Sequence, residues 1–557
     1  MDRVASLAAT PDDVTTKVST WHNSKYRRDL VVILGLIVLC APLYLAYVHS
    51  LPVQMNTDEI VIMGVQKAYA EARNVDPFGL STYAGLPSLI FIVTGKLGLL
   101  LGGINLYHMR LIHGFFGVVI VVTAYLFFRL RLSRPWAFVA TIILGTNHAL
   151  LMISRMAMRE NTALLIELVA LGLLYFGFTR SRRLWTFVGG AVAGLSFYTY
   201  FPSRVTIVIW LMFIGCWIIC FTPKKERFKQ FNFGLISLLG FFMIVAPYAI
   251  ASSRDFKTAD YHPRQQILLY PEGRRLQQTW VSANTPKAAY KQNISNGLSV
   301  FNNKIHDNGY IYPNFGHGFA DPLSGVLIWI GFLVVIWRLL HRKSRHSFDL
   351  LMVTGFITIW LMLALVINKA PNYTRLLVIL PFMSYMVTRA LQLLTQYLSK
   401  FSIRIHRGLE IVVYWAVLLA GVVSIVTWNL LIARDFIKQG QINGNALGTT
   451  ARYIEARADQ PTYHFYLAAN ANYAYYDWGD PYQEWQKWIG FFVTPSQIAQ
   501  VISPENVNSF SQTPRPYTIF MNERLWQQYK TELSLRYPDL RVHLITSNGR
   551  LLAIEIP

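Results

Sequence analysis

Asp29-Leu-Val-Val-Ile-Leu-Gly-Leu-Ile-Val-Leu-Cys-Ala-Pro-Leu-Tyr-Leu-Ala-Tyr-Val48 carries a single charge, at its first position. A helix that crosses a bilayer needs about 20 mostly apolar residues, so this stretch reads as a transmembrane span. The same pattern recurs at about 108–128, 135–153, 161–178, 184–200, 205–221, 232–250, 322–340, 348–367, 374–396 and 409–431. The expectation is therefore an α-helical polytopic membrane protein of about 11 spans, with its two ends on opposite sides. Pro87, Gly95 and Gly98 interrupt the run at 86–103, which reads as a helix lying in the interface or re-entering.

Composition agrees. Of 557 residues 53% are hydrophobic and 14% are charged, against roughly 25% charged in soluble domains. The net charge of +22 does not indicate a nucleic-acid partner, because its distribution follows the membrane. With a cytoplasmic N-terminus, the segments 1–28, 129–134, 179–183, 222–231, 338–347 and 397–408 hold 22 Lys/Arg and four acids. That excess in short loops is the positive-inside pattern, which predicts an extracytoplasmic C-terminal part; the expected setting is a plasma (inner) membrane. Cys40, Cys216 and Cys220 fall in apolar runs and suggest neither disulfide nor thiolate metal site.

The predicted layout is a cytoplasmic tail at 1–28, a transmembrane core at 29–431 with external loops 49–107 and 251–321, and an extracytoplasmic domain at 432–557. Strand-like pieces at Thr462–Leu467, Tyr517–Met521 and Leu551–Ile556, with a helix near Asn522–Leu535, make that last domain a small α/β unit. No cleavable leader is evident, and the first span is expected to be retained.

Chemistry gathers in the external loops. Met55-Asn56-Thr57-Asp58-Glu59 follows the first span. Its acids fit either the positive first turn of a capped helix or a carboxylate base at the membrane surface. In Ser154-Arg155-Met156-Ala157-Met158-Arg159-Glu160-Asn161, Arg155 and Arg159 share a helical face and suit a phosphate, or else snorkel to headgroups. Asn368-Lys369-Ala370-Pro371-Asn372-Tyr373-Thr374-Arg375 adds Lys369 and Arg375. Arg204 ends an aromatic stretch that reads as an interfacial belt or as a further phosphate contact. Cations in short loops on the side where orientation does not require them point to one anionic, lipid-borne ligand.

Together, Asp58-Glu59 after the first span, the Arg-x-x-x-Arg-Glu loop at 155–160 and Tyr373-x-Arg375-Leu-Leu-x-x-x-Pro381 resemble the GT-C superfamily. This covers the polyprenyl-phosphate-sugar-dependent glycosyltransferases of the protein O-mannosyltransferase and aminoarabinose transferase type. The resemblance spans most of 29–396. It implies an inverting glycosyltransferase moving a sugar from a polyprenyl-phosphate donor, undecaprenyl phosphate being one such carrier, to an extracytoplasmic acceptor. By the same resemblance Asp58 is the catalytic acid with Glu59 beside it. Arg155, Arg159, Arg204, Lys369, Tyr373 and Arg375 bind the donor phosphate, and Glu160, with Asp58, is where some members place a divalent metal ion. Relatives with Lys-Pro-Pro late in the first loop differ from this chain, which has Gly85-Leu86-Pro87 there, so phosphate contact falls to the arginines.

Tyr476-Asp477-Trp478 faintly resembles the Trp-Trp-Asp acceptor motif of oligosaccharyltransferases, and it reads equally as a sugar platform or as core. Protein glycosylation of the oligosaccharyltransferase kind is accordingly one alternative. A lipid transporter or flippase is another, although Glu167 is the one acid placed well inside a span. A nucleophile-dependent lipid transferase would want a Ser, Thr or His nucleophile-like site, and neither His148 nor His306 stands in a motif that suggests one.

Overall fold

The computed structural model describes residues 14–557 apart from 53–56, 82–84, 86, 303–316, 342–343, 404–408, 443–449, 451–452, 455, 458–463, 469–499, 508–515 and 547–550. For 14–26, 57–58, 60, 437–442 and a few strand and loop positions of the C-terminal domain, only the backbone path is described. The membrane part runs α1 (Val14–Leu45), α2 (Thr57–Glu71), α3 (Leu89–Leu100), α4 (Leu106–Arg129), α5 (Arg134–Gly145), α6 (His148–Ser154), α7 (Glu160–Thr179), α8 (Arg183–Leu195), α9 (Val205–Phe221) and α10 (Arg227–Arg254). It continues through α11 (Phe256–Gln266), α12 (Pro271–Trp280), α13 (Pro286–Leu298), α14 (Pro322–Leu340), α15 (Ser347–Leu365), α16 (Tyr373–Leu376), α17 (Leu380–Ile403) and α18 (Leu409–Ile442).

Among the described residues nine helices are long and apolar enough to cross a bilayer, or ten if α5 and α6 count as one broken span. The chain is an integral membrane protein. The expected crossing at 135–153 is that broken span, bent by 62° where Asn147 stops α5 and caps α6 through the amides of Ala149 and Leu150. The crossing expected at 184–200 is shorter than foreseen. α8 has 13 residues and gives way to single 3₁₀ turns at Ser196–Tyr198 and Phe201–Arg204. Thirteen residues rise only about 20 Å, less than a bilayer core. Pro202, without an amide hydrogen, starts the second turn and prevents one continuous helix. The run at 86–103 forms the 12-residue α3, too short to cross, with Leu99, Leu100 and Leu101 exposed at its end.

Small residues and buried polar ties hold the bundle. α8 lies against α10 where a Cβ on Gly190 would sit 2.0 Å from the Ser237 carbonyl and one on Gly240 2.2 Å from that of Phe187. Between apolar helices in lipid such close backbone approach replaces the hydrophobic drive available in water. Asp321 caps α14 at the Ser324 amide (2.9 Å) and accepts from Asn429 of α18 (2.9 Å), whose carbonyl oxygen receives the His148 amide of α6 (3.0 Å).

After α18 comes one mixed five-stranded sheet: β1 (His464–Ala468), β2 (Gln500–Ile502), β3 (Tyr517–Asn522), β4 (Arg541–Thr546) and β5 (Leu551–Ile556), in the order β2-β1-β3-β5-β4. β1 pairs in parallel with β2 and β3, whereas β5 runs antiparallel to β3 and β4. The helix α19 (Glu523–Arg536) packs Leu525 and Leu533 onto it. The three strands and the helix expected from sequence are present; β2 and β4 were not foreseen.

Candidate functional site

α2 begins at Thr57, which puts Asp58 and Glu59 in its first turn. The Asp58 side chain lies outside the described residues, as do Tyr476, Asp477 and Trp478. Glu59 is completely buried. Its two oxygens take a fork from Arg110 of α4, Nε to Oε1 at 2.7 Å and Nη2 to Oε2 at 3.0 Å, and Oε1 also accepts the Ala157 amide at 2.7 Å. Arg110 further donates to the carbonyls of Val48 (3.2 Å) and Pro52 (2.8 Å). The pair therefore locks together the exit from α1, the start of α2, the start of α4 and the loop before α7.

Arg155, expected at the phosphate, turns the other way. Its Nη1 donates to the Leu43 carbonyl (2.6 Å) and its Nη2 to those of Ala46 (2.7 Å) and Leu51 (3.3 Å). It thus satisfies the carbonyls that the end of α1 leaves without helical partners. The signal in the sequence was identical for both arginines of the loop; only tertiary packing separates them.

The other expected cations converge. Arg159 lies over Phe91 (5.1 Å) and Tyr200 (5.7 Å), Arg204 over Phe197 (4.7 Å) and Tyr248 (5.2 Å), and Arg375 over Phe201 (5.5 Å). Arg375 is held by the Asn368 carbonyl (3.2 Å) and by the Gln266 side chain, and its own amide is capped by Asn372 (3.1 Å). Tyr200 shares a hydroxyl contact with Thr374 (3.2 Å). Burial, and secondarily the Glu160 carboxylate, push its phenol up, while Arg375 and Arg159 oppose. Lys369, at φ +58°, sits over Trp280 (4.3 Å), and its ammonium is shifted down by burial and by Arg375. Tyr373 donates to the His317 carbonyl (2.7 Å) and so fixes the segment leading to α14.

His262 of α11 stands in the common field of Arg375, Arg159 and Arg204; burial foremost, then these charges in that order, hold its imidazole down at about 3. It opens onto a cavity of about 410 Å³ lined by Arg204, Tyr248 and Gln266, by Val205 and Val208 of α9, and by Met362, Val366 and Ile367 around the end of α15. His262 and Gln266 were absent from the sequence reading. The available signal was spacing: Ala259, His262, Pro263 and Gln266, at helical intervals, form one face of α11 toward the cavity.

A histidine held neutral here carries a consequence for pH. The folded value lies below the ordinary 6.5, so the neutral form contributes stability that is complete above 6.5 and is lost as pH falls toward about 3. The unfolding temperature of wild type minus that of His262→Gln is expected to decline steadily between pH 6.5 and 4; a flat difference across that range is the contrary outcome.

Glu160 opens α7, almost fully buried beside Tyr200. Among the described residues no group of three or more His, Cys, Asp or Glu side chains is gathered to hold a metal ion. Asp58, the partner expected for Glu160 in such a site, has its side chain outside the described residues.

No protein-family model and no curated protein matches the chain. Solved structures do. ArnT from Cupriavidus metallidurans bound to undecaprenyl phosphate is 11% identical, with a TM-score of 0.51 over 94% of this chain and 98% of that one. The oligosaccharyltransferase of Archaeoglobus fulgidus in its apo form is also 11% identical at a TM-score of 0.51, over 90% of this chain and 71% of that one. The same oligosaccharyltransferase tethered with an acceptor peptide containing the NVT sequon is 10% identical at a TM-score of 0.50.

Proposed function

We propose that this chain, built on the GT-C fold of those structures, is an inverting glycosyltransferase that takes a sugar from a polyprenyl phosphate and gives it to an extracytoplasmic acceptor. The observation that carries this reading is the gathering of Arg159, Arg204 and Arg375 about His262, which lines, with Arg204, a cavity walled by α9 and α15. A long apolar chain suits those walls, and a phosphate suits the arginines beside them. Asp58 accepts the proton of the acceptor hydroxyl as its oxygen attacks the anomeric carbon. The carbon–oxygen bond to phosphate breaks on the opposite face, and the charge that develops on the leaving phosphate falls to Arg159, Arg204 and Arg375, with Lys369 nearby.

Glu59 and Arg155 serve as positioning residues in this scheme, because their polar atoms are committed to Arg110 and Ala157 and to the end of α1. Tyr373 positions the entry to α14 in the same sense. Glu160 balances part of the cationic charge. Tyr476, Asp477 and Trp478 are proposed to meet the acceptor from the domain at 432–557. The oligosaccharyltransferase reading differs only in that acceptor. The proposed setting is a plasma (inner) membrane, with the tail at 1–28 in the cytoplasm.

Transfer of a radiolabelled sugar from a synthetic polyprenyl-phosphate donor, in detergent, tests this. Arg375→Ala is expected to raise the donor's KM by about ten- to a hundredfold, the worth of one charge-assisted contact, and to leave the acceptor's KM unaltered. An unmoved donor KM removes Arg375 from the phosphate site. Movement of lipid across vesicles without any glycosylated product would favour a transporter instead.

A further inference from the structure

α15 has the cavity at its C-terminal end; its N-terminal end, about 28 Å away, carries a second concentration of charge. Asp349, fully buried in the first turn, accepts from Arg338 of α14 (3.0 Å), from Arg389 of α17 (3.4 Å) and from the Tyr385 hydroxyl. Beneath it Phe348 is packed by Phe127 (5.3 Å), Tyr175 (5.1 Å) and Tyr385 (5.4 Å), which brings the end of α4 against the start of α15. Arg131, just past α4, makes no side-chain hydrogen bond among the described residues, and its Nε is buried. The Nε of Arg389, a residue 7% exposed, is likewise buried without an acceptor. Arg338 and Arg389 thus converge on one carboxylate at a helix N-terminus, with Arg131 close by, just past the end of α4 that packs on Phe348.

We propose that this end of the bundle is a binding site for a phosphate oxyanion, contributed by the headgroup of an anionic membrane lipid and held by Arg131, Arg338 and Arg389. Orientation alone asks for positive residues in these loops, but not for two of them to converge on one fully buried carboxylate with donors left over. Three arginines outnumber the one carboxylate, with Arg131 and Arg338 part-exposed at the helix ends, where a lipid phosphate would supply counter-charge. Trp337 and Leu340, both largely exposed at the end of α14, offer the glycerol and acyl region an apolar flank. His346 agrees with this field: burial, and then Arg131, hold its imidazole down at about 4, with Asp349 opposing. It adds no charge, and its Nδ1 accepts the Phe348 amide (3.2 Å).

The full chain, purified in a neutral detergent, is titrated with phosphatidylglycerol, phosphatidylcholine or inorganic phosphate, and adducts are counted by native mass spectrometry. Phosphatidylglycerol is expected to bind the wild type about tenfold more tightly than phosphatidylcholine, and Arg131→Gln to lose about that factor. Arg131→Lys should retain most of it. Arg183→Gln, which removes an exposed cation from the start of α8 at the same end of the bundle, should lose nothing. Competition by millimolar phosphate would assign the same oxyanion site to a soluble ligand as well. Equal lipid affinity in Arg131→Gln and wild type, or an equal loss in Arg183→Gln, overturns the proposal.

Discussion

Asp58→Asn lowers the rate of sugar transfer by about a thousandfold, within the range that a positioned general base contributes, and leaves the donor's dissociation constant near that of wild type. The amide matches the carboxylate in size and cannot take up a proton, so the loss appears in kcat. The check is single-turnover transfer with donor saturating, alongside donor binding measured separately. Turnover within a few-fold of wild type would remove Asp58 as the base. A parallel collapse of donor binding would make it a binding residue.

The second large effect is on the fold. Glu59→Gln strips the carboxylate from a fully buried ion pair and leaves the Arg110 guanidinium without its counter-charge, at an expected cost of about 3–5 kcal/mol. Thermal unfolding in detergent should show a marked fall in midpoint and a low yield of folded protein. Glu59→Gln combined with Arg110→Gln should recover part of the loss, because the stranded charge is then gone. If the single variant unfolds like wild type, the fork does not hold the loop. The two neighbouring acids are thereby separable in the laboratory: one change acts on rate and the other on the folded state.

Most of the bundle was legible because a bilayer imposes one crude rule, and runs such as 108–128 and 322–340 match α4 and α14 within two residues. The misreading at 184–200 arises where the rule is relaxed. α8 is sheltered between α7 and α10, so its backbone can break into 3₁₀ turns away from lipid. Strands β2 and β4 escaped notice for another reason. β2 has only three residues, and β4 alternates Val542 and Leu544 outward with polar neighbours at a sheet edge.

At the site, residue type was readable, and partner was not. Arg155 and Arg159 look alike in sequence; what distinguishes them is that the end of α1 arrives beneath one and the ring of Tyr200 beneath the other. His262 has no local motif, and its role depends on three arginines drawn from three distant segments.

The Glu59 clamp also bears on how the protein is made. Glu59 meets Arg110 across 51 residues and Ala157 across 98. A chain emerging from the ribosome therefore carries an acid with no counter-charge until α4 has been inserted, and it cannot fasten the loop after α1 until the turn before α7 is out. The start of α2, where Asp58 resides, is made early, waits about a hundred residues for the contact that fixes it, and is in place before Arg204, His262 and Arg375 have been synthesised.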